Sequence, residues 1–293
     1  MTTSVGFMPD LARLERDVRR LSVVRHATAD PAALDLAADF IAEELRQSGL
    51  GVERQSFPWK GEDFHNVVGI REGTDHSRPW IVVGAHFDST PHTPGADDNA
   101  SGVAAMLEIA RLLADFVPAA TLHFVGFNLE EIQQRLPPMY RIGSKAYVRW
   151  LTAQVARVDG AFILEMVGYT GAKQRVPAAV RLVKQVPDTG NFLAAIGDAN
   201  SAHLLLAMER AAAGVVPLVS LGVPLKGYAV PDVRRSDNAR FWDVDYPALM
   251  VTDTADLRNP HYHKATDTPD TLDYGFMAKV VETVAKAVVD VAG

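Results

Sequence analysis

His86 and Asp88 stand two residues apart at the end of Ile81-Val82-Val83, a β-branched run that reads as a buried strand. Residues i and i+2 of a strand point the same way, so an imidazole and a carboxylate share one side there. Neutral imidazole and carboxylate oxygens suit zinc, and a carboxylate behind the ring commonly fixes its orientation. An isolated His-x-Asp is more often an ordinary strand end than a metal site. This one is followed by a Pro/Gly/Asp loop, the pair Asp97-Asp98 and a helix opening near Ala100. Further acidic and histidine residues recur downstream. Glu130-Glu131 follow the apolar segment 121–128, although such a pair also suits an ordinary helix start. Glu165 lies between Phe162-Ile163-Leu164 and Met166-Val167, and a carboxylate among buried neighbours needs a partner or a metal. The polar connection NPHYHKATDTPDTLDY adds His261, Tyr262, His263 and Asp267, two histidines beside a tyrosine in a chain that has nine.

The elements that must position these residues are legible from periodicity. Leu11, Leu14, Val18 and Leu21 follow helical spacing. Asp30 is a plausible cap and Pro31 a first-turn residue for a second helix that stops at Gly49. Strands are expected over 52–57, 66–70, 80–85, 121–128, 160–167, 192–196, 215–221 and 247–252. Helices are expected over 101–113, 144–156, 202–213 and 275–291. This alternation argues an α/β fold with a largely parallel sheet. Such a sheet brings successive strand C-termini to one edge, where ligands bind. His86 with Asp98, Glu130-Glu131, Glu165, and Tyr262-His263 all follow strands, so residues far apart in sequence can converge there. No internal repeat, low-complexity tract or linker interrupts the pattern, and residues 1–293 read as one domain.

Composition narrows the chemistry. The chain has 293 residues, 48% hydrophobic and 22% charged, which is the balance of an ordinary globular protein. The formal net charge of -7 leaves no basic footprint for nucleic acid or an anionic membrane. Cysteine is absent, so disulfides, thiolate metal sites and a cysteine nucleophile are excluded, and any metal must be held by His, Asp and Glu. The start becomes charged early, without the apolar core of a signal peptide, and no stretch of about 18 apolar residues suggests a membrane span. These features lead us to expect a cytoplasmic protein.

Taken together, GAHFDS, PGADDNASG, a strand followed by Glu-Glu, LEMVG, SDNARFW at 236–242 and RNPHYHKATDTPDTLDY closely resemble the co-catalytic zinc aminopeptidase family of the aminopeptidase S and aminopeptidase Y type. Glutaminyl cyclases are distant relatives of that family. The likeness runs in order from about Leu11 to the C-terminus. It implies a three-layer α/β/α sandwich around a central, mostly parallel mixed sheet of about eight strands. Carried over residue by residue, the resemblance implies that His86 and Glu165 bind one zinc and Glu131 and His263 the other. Asp98 bridges them, chosen over Asp97 by aligning the Ala-Ser-Gly that follows. Glu130 resembles the general base, Tyr262 the hydroxyl that supports the oxyanion, and Asp88 the residue that orients His86. The implied activity is hydrolysis of the N-terminal bond of peptides with a free N-terminus, through a metal-bridging water. Two zinc ions are implied, and carboxylate-rich sites also accept cobalt or manganese.

Two features depart from the family pattern. Position 165 is Glu where close aminopeptidases often have Asp. Residues 132–142 form an insert between Glu131 and Gly143-Ser144, rich in Pro and Arg, that could wall the pocket, with Arg135 or Arg141 recognising a substrate carboxylate. Two other readings exist: a glutaminyl cyclase-like acyltransferase with one zinc, and a non-catalytic metal-binding protein of the same fold. The cyclases keep fewer ligands and place a tryptophan where Tyr262 stands, and a structural site has no need of a free base such as Glu130. Ser236, Asp237 and Asn238 are expected to pack near the site.

Overall fold

The computed structural model describes residues 7–132, 134–135, 138–139 and 141–293, without the side chains of 133–140 and of 179. Among the described residues, eight strands form one mixed sheet. They are β1 (Gly51–Trp59), β2 (Glu62–Arg71), β3 (Trp80–His86), β4 (Leu122–Phe127), β7 (Val158–Glu165), β8 (Leu193–Gly197), β9 (Leu218–Gly222) and β10 (Ala248–Thr252). The short pair β5 (Gln134–Arg135) and β6 (Pro138–Met139) forms a separate antiparallel hairpin within the 132–142 insert. The sheet order is β1-β2-β4-β3-β7-β10-β8-β9. Its centre, β4-β3-β7-β10, is parallel throughout, whereas β1, β2 and β8 each pair antiparallel with a neighbour. The four parallel strands are the ones whose C-terminal ends carry the candidate residues.

Side-chain alternation builds the layers. Ile81, Val83, Phe124, Phe162, Leu164, Leu249 and Val251 face one side, and Val82, Val125, Ile163, Ala248 and Met250 the other. The first face is covered by α1 (Leu11–Leu21), α2 (Pro31–Gln47), α3 (Gly102–Leu112), α6 (Ala202–Ala212) and α8 (Tyr274–Ala292). The second is covered by α4 (Ile142–Ala153) and α7 (Asn238–Asp243), with Tyr147, Leu151, Phe241 and Trp242 fully buried against it. A single turn, α5 (Ala178–Arg181), lies in the loop before β8. The caps match the sequence: Asp30 accepts from the Ala33 N–H with Pro31 in the first turn, and Asp273 caps α8 by accepting from Phe276. Among the described residues no helix is long and apolar enough to cross a membrane.

One buried histidine in this frame sets a pH limit. His123, on β4, stacks on Trp80 with ring centroids 4.5 Å apart, and its Nδ1 lies 2.7 Å from the Tyr147 hydroxyl. Burial pushes it down to about 4. Between that value and the ordinary 6.5 the unfolded chain binds the proton and the folded chain does not, so stability falls as pH drops through this window. The loss is worth up to about 3 kcal/mol. Denaturant unfolding at pH 7 and pH 4.5 is expected to show this loss in the wild type and a smaller one in the variant carrying His123→Phe with Tyr147→Phe. Equal slopes would exclude His123 as the source.

Candidate metal centre and active site

The site lies at the C-terminal edge of β3, β4, β7 and β10. His86 ends β3, and the chain then passes through Gly95 into a wide turn, Ala96–Ser101, that delivers Asp98. Gly95 has φ +60, and a Cβ there would come within 2.3 Å of the Asp98 carbonyl oxygen, so only glycine lets the turn close. The Asp98–Asn99 peptide is cis. Asn99 ties this turn to β7: its amide donates to the Leu164 carbonyl, and its oxygen accepts from the backbone of Gly102 and Met166. Leu129, Met166 and His263 all have positive φ, so three of the turns presenting candidate residues hold strained, left-handed backbone at non-glycine positions.

Two clusters share one carboxylate. His86 Nε2 lies 3.3 Å from Asp98 Oδ1 and 3.5 Å from Glu165 Oε2. His263 Nε2 lies 3.1 Å from Asp98 Oδ2 and 3.0 Å from Glu131 Oε1. Each trio places its donor atoms within 4.8 Å of one another. Asp98 Oδ1 is buried without a hydrogen-bond partner. The fifth candidate position, Glu165, is fixed by Ser236, whose hydroxyl donates to Glu165 Oε2 at 2.6 Å. Asp97 points away, accepting from the Gly168 N–H and the Asn259 amide.

The electrostatics test whether these groups fit a cation. Burial pushes the Glu131 carboxyl up to about 7, and the Asp98 charge adds to the effect. Burial also raises Glu130 well above the carboxylate range, against the pull of His86, and Glu131, Asp237 and Glu165 add to it. Burial would lower both His86 and His263. It is outweighed by Glu165, Asp88 and Asp98 at the first and by Asp98 and Glu131 at the second, so both histidines are raised. The imidazoles thus supply the positive charge that the crowded carboxylates demand, through the same nitrogens that would face a metal. A site of three carboxylates and two imidazoles, with a buried carboxylate oxygen left unpartnered, fits zinc.

Behind this layer the supports are polar and fully buried. Asp88 lies 3.5 Å from His86 Nδ1, the side expected of it, but its shorter contacts go elsewhere. Its two oxygens accept from the N–H groups of Glu130 at 3.0 Å and Glu131 at 2.9 Å. Asp88 therefore ties the end of β3 to the turn after β4. Asp267 does the same for the wide turn, accepting from the Asp97 and Asp98 N–H groups. Arg25 is fully buried and donates to the carbonyls of Leu21, Val23, Phe87, Pro94 and Gly95, clamping the loop between His86 and Asp98. Burial lowers it to about 10, with Asp88 and Asp267 opposing, so it stays charged at neutral pH.

The sequence-predicted residues converge. Asp98, Glu130, Glu131, Glu165, Tyr262 and His263 line one cleft together with Arg141, Arg234 and Arg235. His261 turns aside, its Nδ1 2.9 Å from the Thr266 hydroxyl. Arg141 lines the cleft and donates to the Arg234 carbonyl at 2.7 Å. Gln133, Leu136, Pro137 and Tyr140 and the side chain of Arg135 lie outside the described residues, so the expectation of a pocket wall from the insert rests on residues not described. Two contributors were missed by sequence reasoning, and a third was read only in part. Arg25 and Arg235 carried no signal in spacing or pattern. Ser236 was placed near the site by the matching stretch, without its bond to Glu165.

The family model for peptidase family M28 matches residues 66–288. The chain belongs to peptidase family M28. Among its M28 relatives, the uncharacterized protein YfbL of Escherichia coli K12 is 35% identical over 288 residues, covering 93% of this chain and 85% of that protein. Curated relatives named as aminopeptidases are longer, and this M28 chain spans between 19% and 58% of their length. Among solved structures, BSAP, a zinc aminopeptidase from Bacillus subtilis, matches with a TM-score of 0.74 at 16% identity, over 97% of this chain and 96% of that one. The glutaminyl cyclase of Porphyromonas gingivalis matches with a TM-score of 0.74 at 18% identity, over 97% and 99%. Both share the α/β fold of this M28 chain.

Proposed function

We propose that this M28 peptidase is a zinc-dependent aminopeptidase, with residues 1–293 acting as one catalytic domain, that holds two metal ions and removes N-terminal residues from peptides. The observation that carries the reading is the position of Asp98, one oxygen toward each of two separate histidine–carboxylate clusters. His86 and Glu165 would hold one ion, Glu131 and His263 the other, and Asp98 both. When bound there, zinc would polarise the scissile carbonyl and make water a stronger acid, and cobalt or manganese could replace it.

The rest is the work of this chain's side chains. Glu130 lines the cleft beside Glu131 without belonging to either ligand trio. From that place it suits a base that takes a proton from the attacking water and returns it to the leaving amine. Tyr262 stacks on His263, ring centroids 3.8 Å apart, which holds its hydroxyl at the cleft to meet the developing oxyanion. Glu165, Arg235 and Tyr262 also border an apolar cavity formed by Phe192, Ile196, Leu221, Val233 and Met250, suited to an apolar N-terminal side chain. The experiment is hydrolysis of a panel of aminoacyl anilides before and after chelation. Zinc-dependent cleavage, fastest for apolar residues, is expected. Cyclisation of glutaminyl peptides without anilide cleavage would favour the cyclase reading, and inertness toward both would favour a non-catalytic protein.

A further inference from the structure

Arg235 stands at the boundary between the cleft and the apolar cavity, and it lines both. Its Nη2 donates to the Tyr262 hydroxyl at 2.9 Å, and its Nη1 donates to Asp256 Oδ1 at 2.7 Å. Its guanidinium carbon is 5.4 Å from the centre of the Tyr262 ring, whose other neighbour is the His263 imidazole. The tyrosine is thus held from two directions, by stacking and by a charged hydrogen bond.

The chemistry of the pair fixes where the phenol proton goes. Guanidinium has five N–H donors and no acceptor, whereas a phenol has one O–H and lone pairs that accept. In the bond between them Tyr262 can only accept. Its single proton must point elsewhere, and among the described residues no protein group accepts it. Tyr262 lines the cleft, where Asp98, Glu130, Glu131, Glu165 and His263 gather acceptors on one side of it. A hydrogen bond received from a cation also polarises the O–H and strengthens it as a donor.

We propose that Arg235 is the positioning residue that orients the Tyr262 hydroxyl, accepting from the guanidinium on one side and donating into the cleft on the other, with Asp256 anchoring the guanidinium. The inference rests on the aminopeptidase reading and on Tyr262 as the oxyanion donor. It assigns Arg235 no direct contact with substrate: its effect passes through one hydroxyl.

The test is a double-mutant cycle on the zinc-loaded protein with Arg235→Met, Arg235→Lys, Tyr262→Phe and the Arg235→Met/Tyr262→Phe pair. Arg235→Met is expected to lower kcat for an apolar aminoacyl anilide by about 10- to 100-fold, below the roughly 100- to 1000-fold typical of losing an oxyanion donor outright. KM and zinc content should change little, and Arg235→Lys should recover part of the loss. In the Tyr262→Phe background Arg235→Met should have almost no further effect. Calorimetric binding of an α-aminophosphonate, a tetrahedral mimic, should weaken in step with kcat, while binding of the free product amino acid should not. Additive losses in the cycle, or a loss confined to KM, would overturn the inference in favour of direct substrate contact. Loss of zinc or of thermal stability in step with kcat, including in Arg235→Lys, would overturn it in favour of a scaffold role. A wild type inert toward every anilide would overturn the aminopeptidase reading and the inference with it. An active wild type with Arg235→Met unchanged would overturn the inference alone.

Discussion

Glu130→Gln is expected to keep both metal ions and to lower kcat by about 10²–10⁴-fold, the usual contribution of a general base. Glutamine matches glutamate in size and leaves the backbone undisturbed, so the N–H groups of residues 130 and 131 should still reach Asp88. What disappears is the ability to take a proton. The neighbouring substitution should separate the roles. Glu131 faces His263 at 3.0 Å and shares a trio with Asp98, so Glu131→Ala should release one ion and spare the other. Metal analysis beside kcat for the two variants checks the assignment. If Glu130→Gln empties a metal site, the two glutamates have been given each other's role.

Asp98→Ala is expected to have the largest effect on metal content of any single substitution, because Asp98 belongs to both trios. Removing a ligand from each site should weaken both by more than the roughly 10- to 100-fold that loss of an outer-shell partner costs. Activity should fall below detection at zinc concentrations that saturate the wild type. Asp98→Asn should behave differently from Ala, because its one remaining oxygen can serve a single site. Zinc titration followed by calorimetry distinguishes these outcomes. One site retained at full affinity in Asp98→Ala would show that the carboxylate serves a single cluster.

Much of this arrangement was legible in the chain because its elements are locally consistent. The apolar runs before His86 and Glu165 alternate between two buried layers, and both became central strands. Asp30-Pro31 announced a helix start, and that start was found where the cap chemistry put it. The direction of β8 was not legible: its sequence, Leu193 to Gly197, is apolar throughout and says nothing of whether it pairs parallel or antiparallel with β10. Nor did α7 declare itself, being six residues buried by Phe241 and Trp242 rather than by any long periodicity.

The site divides in the same way. Residues that do chemistry as types, such as histidines and carboxylates after strands, could be found by inspection. Residues that work by position could not. Arg25 becomes a clamp only because five carbonyls from two stretches, 21–23 and 87–95, surround it. The Ser236 hydroxyl matters because folding brings it to Glu165, 71 positions away in sequence. Asp88 was expected behind His86, and it lies there. Its firmer bonds to the turn of Glu130 and Glu131 come from the parallel register of β3 and β4, which ends with His86 beside Phe127.

The central claim is that Asp98 joins two metal sites in one cleft. Elemental analysis of zinc per chain, on wild-type protein loaded with zinc and dialysed, measures it directly. Two tightly held ions per chain are predicted. One ion per chain, with no gain when more zinc is supplied, would contradict the dinuclear centre.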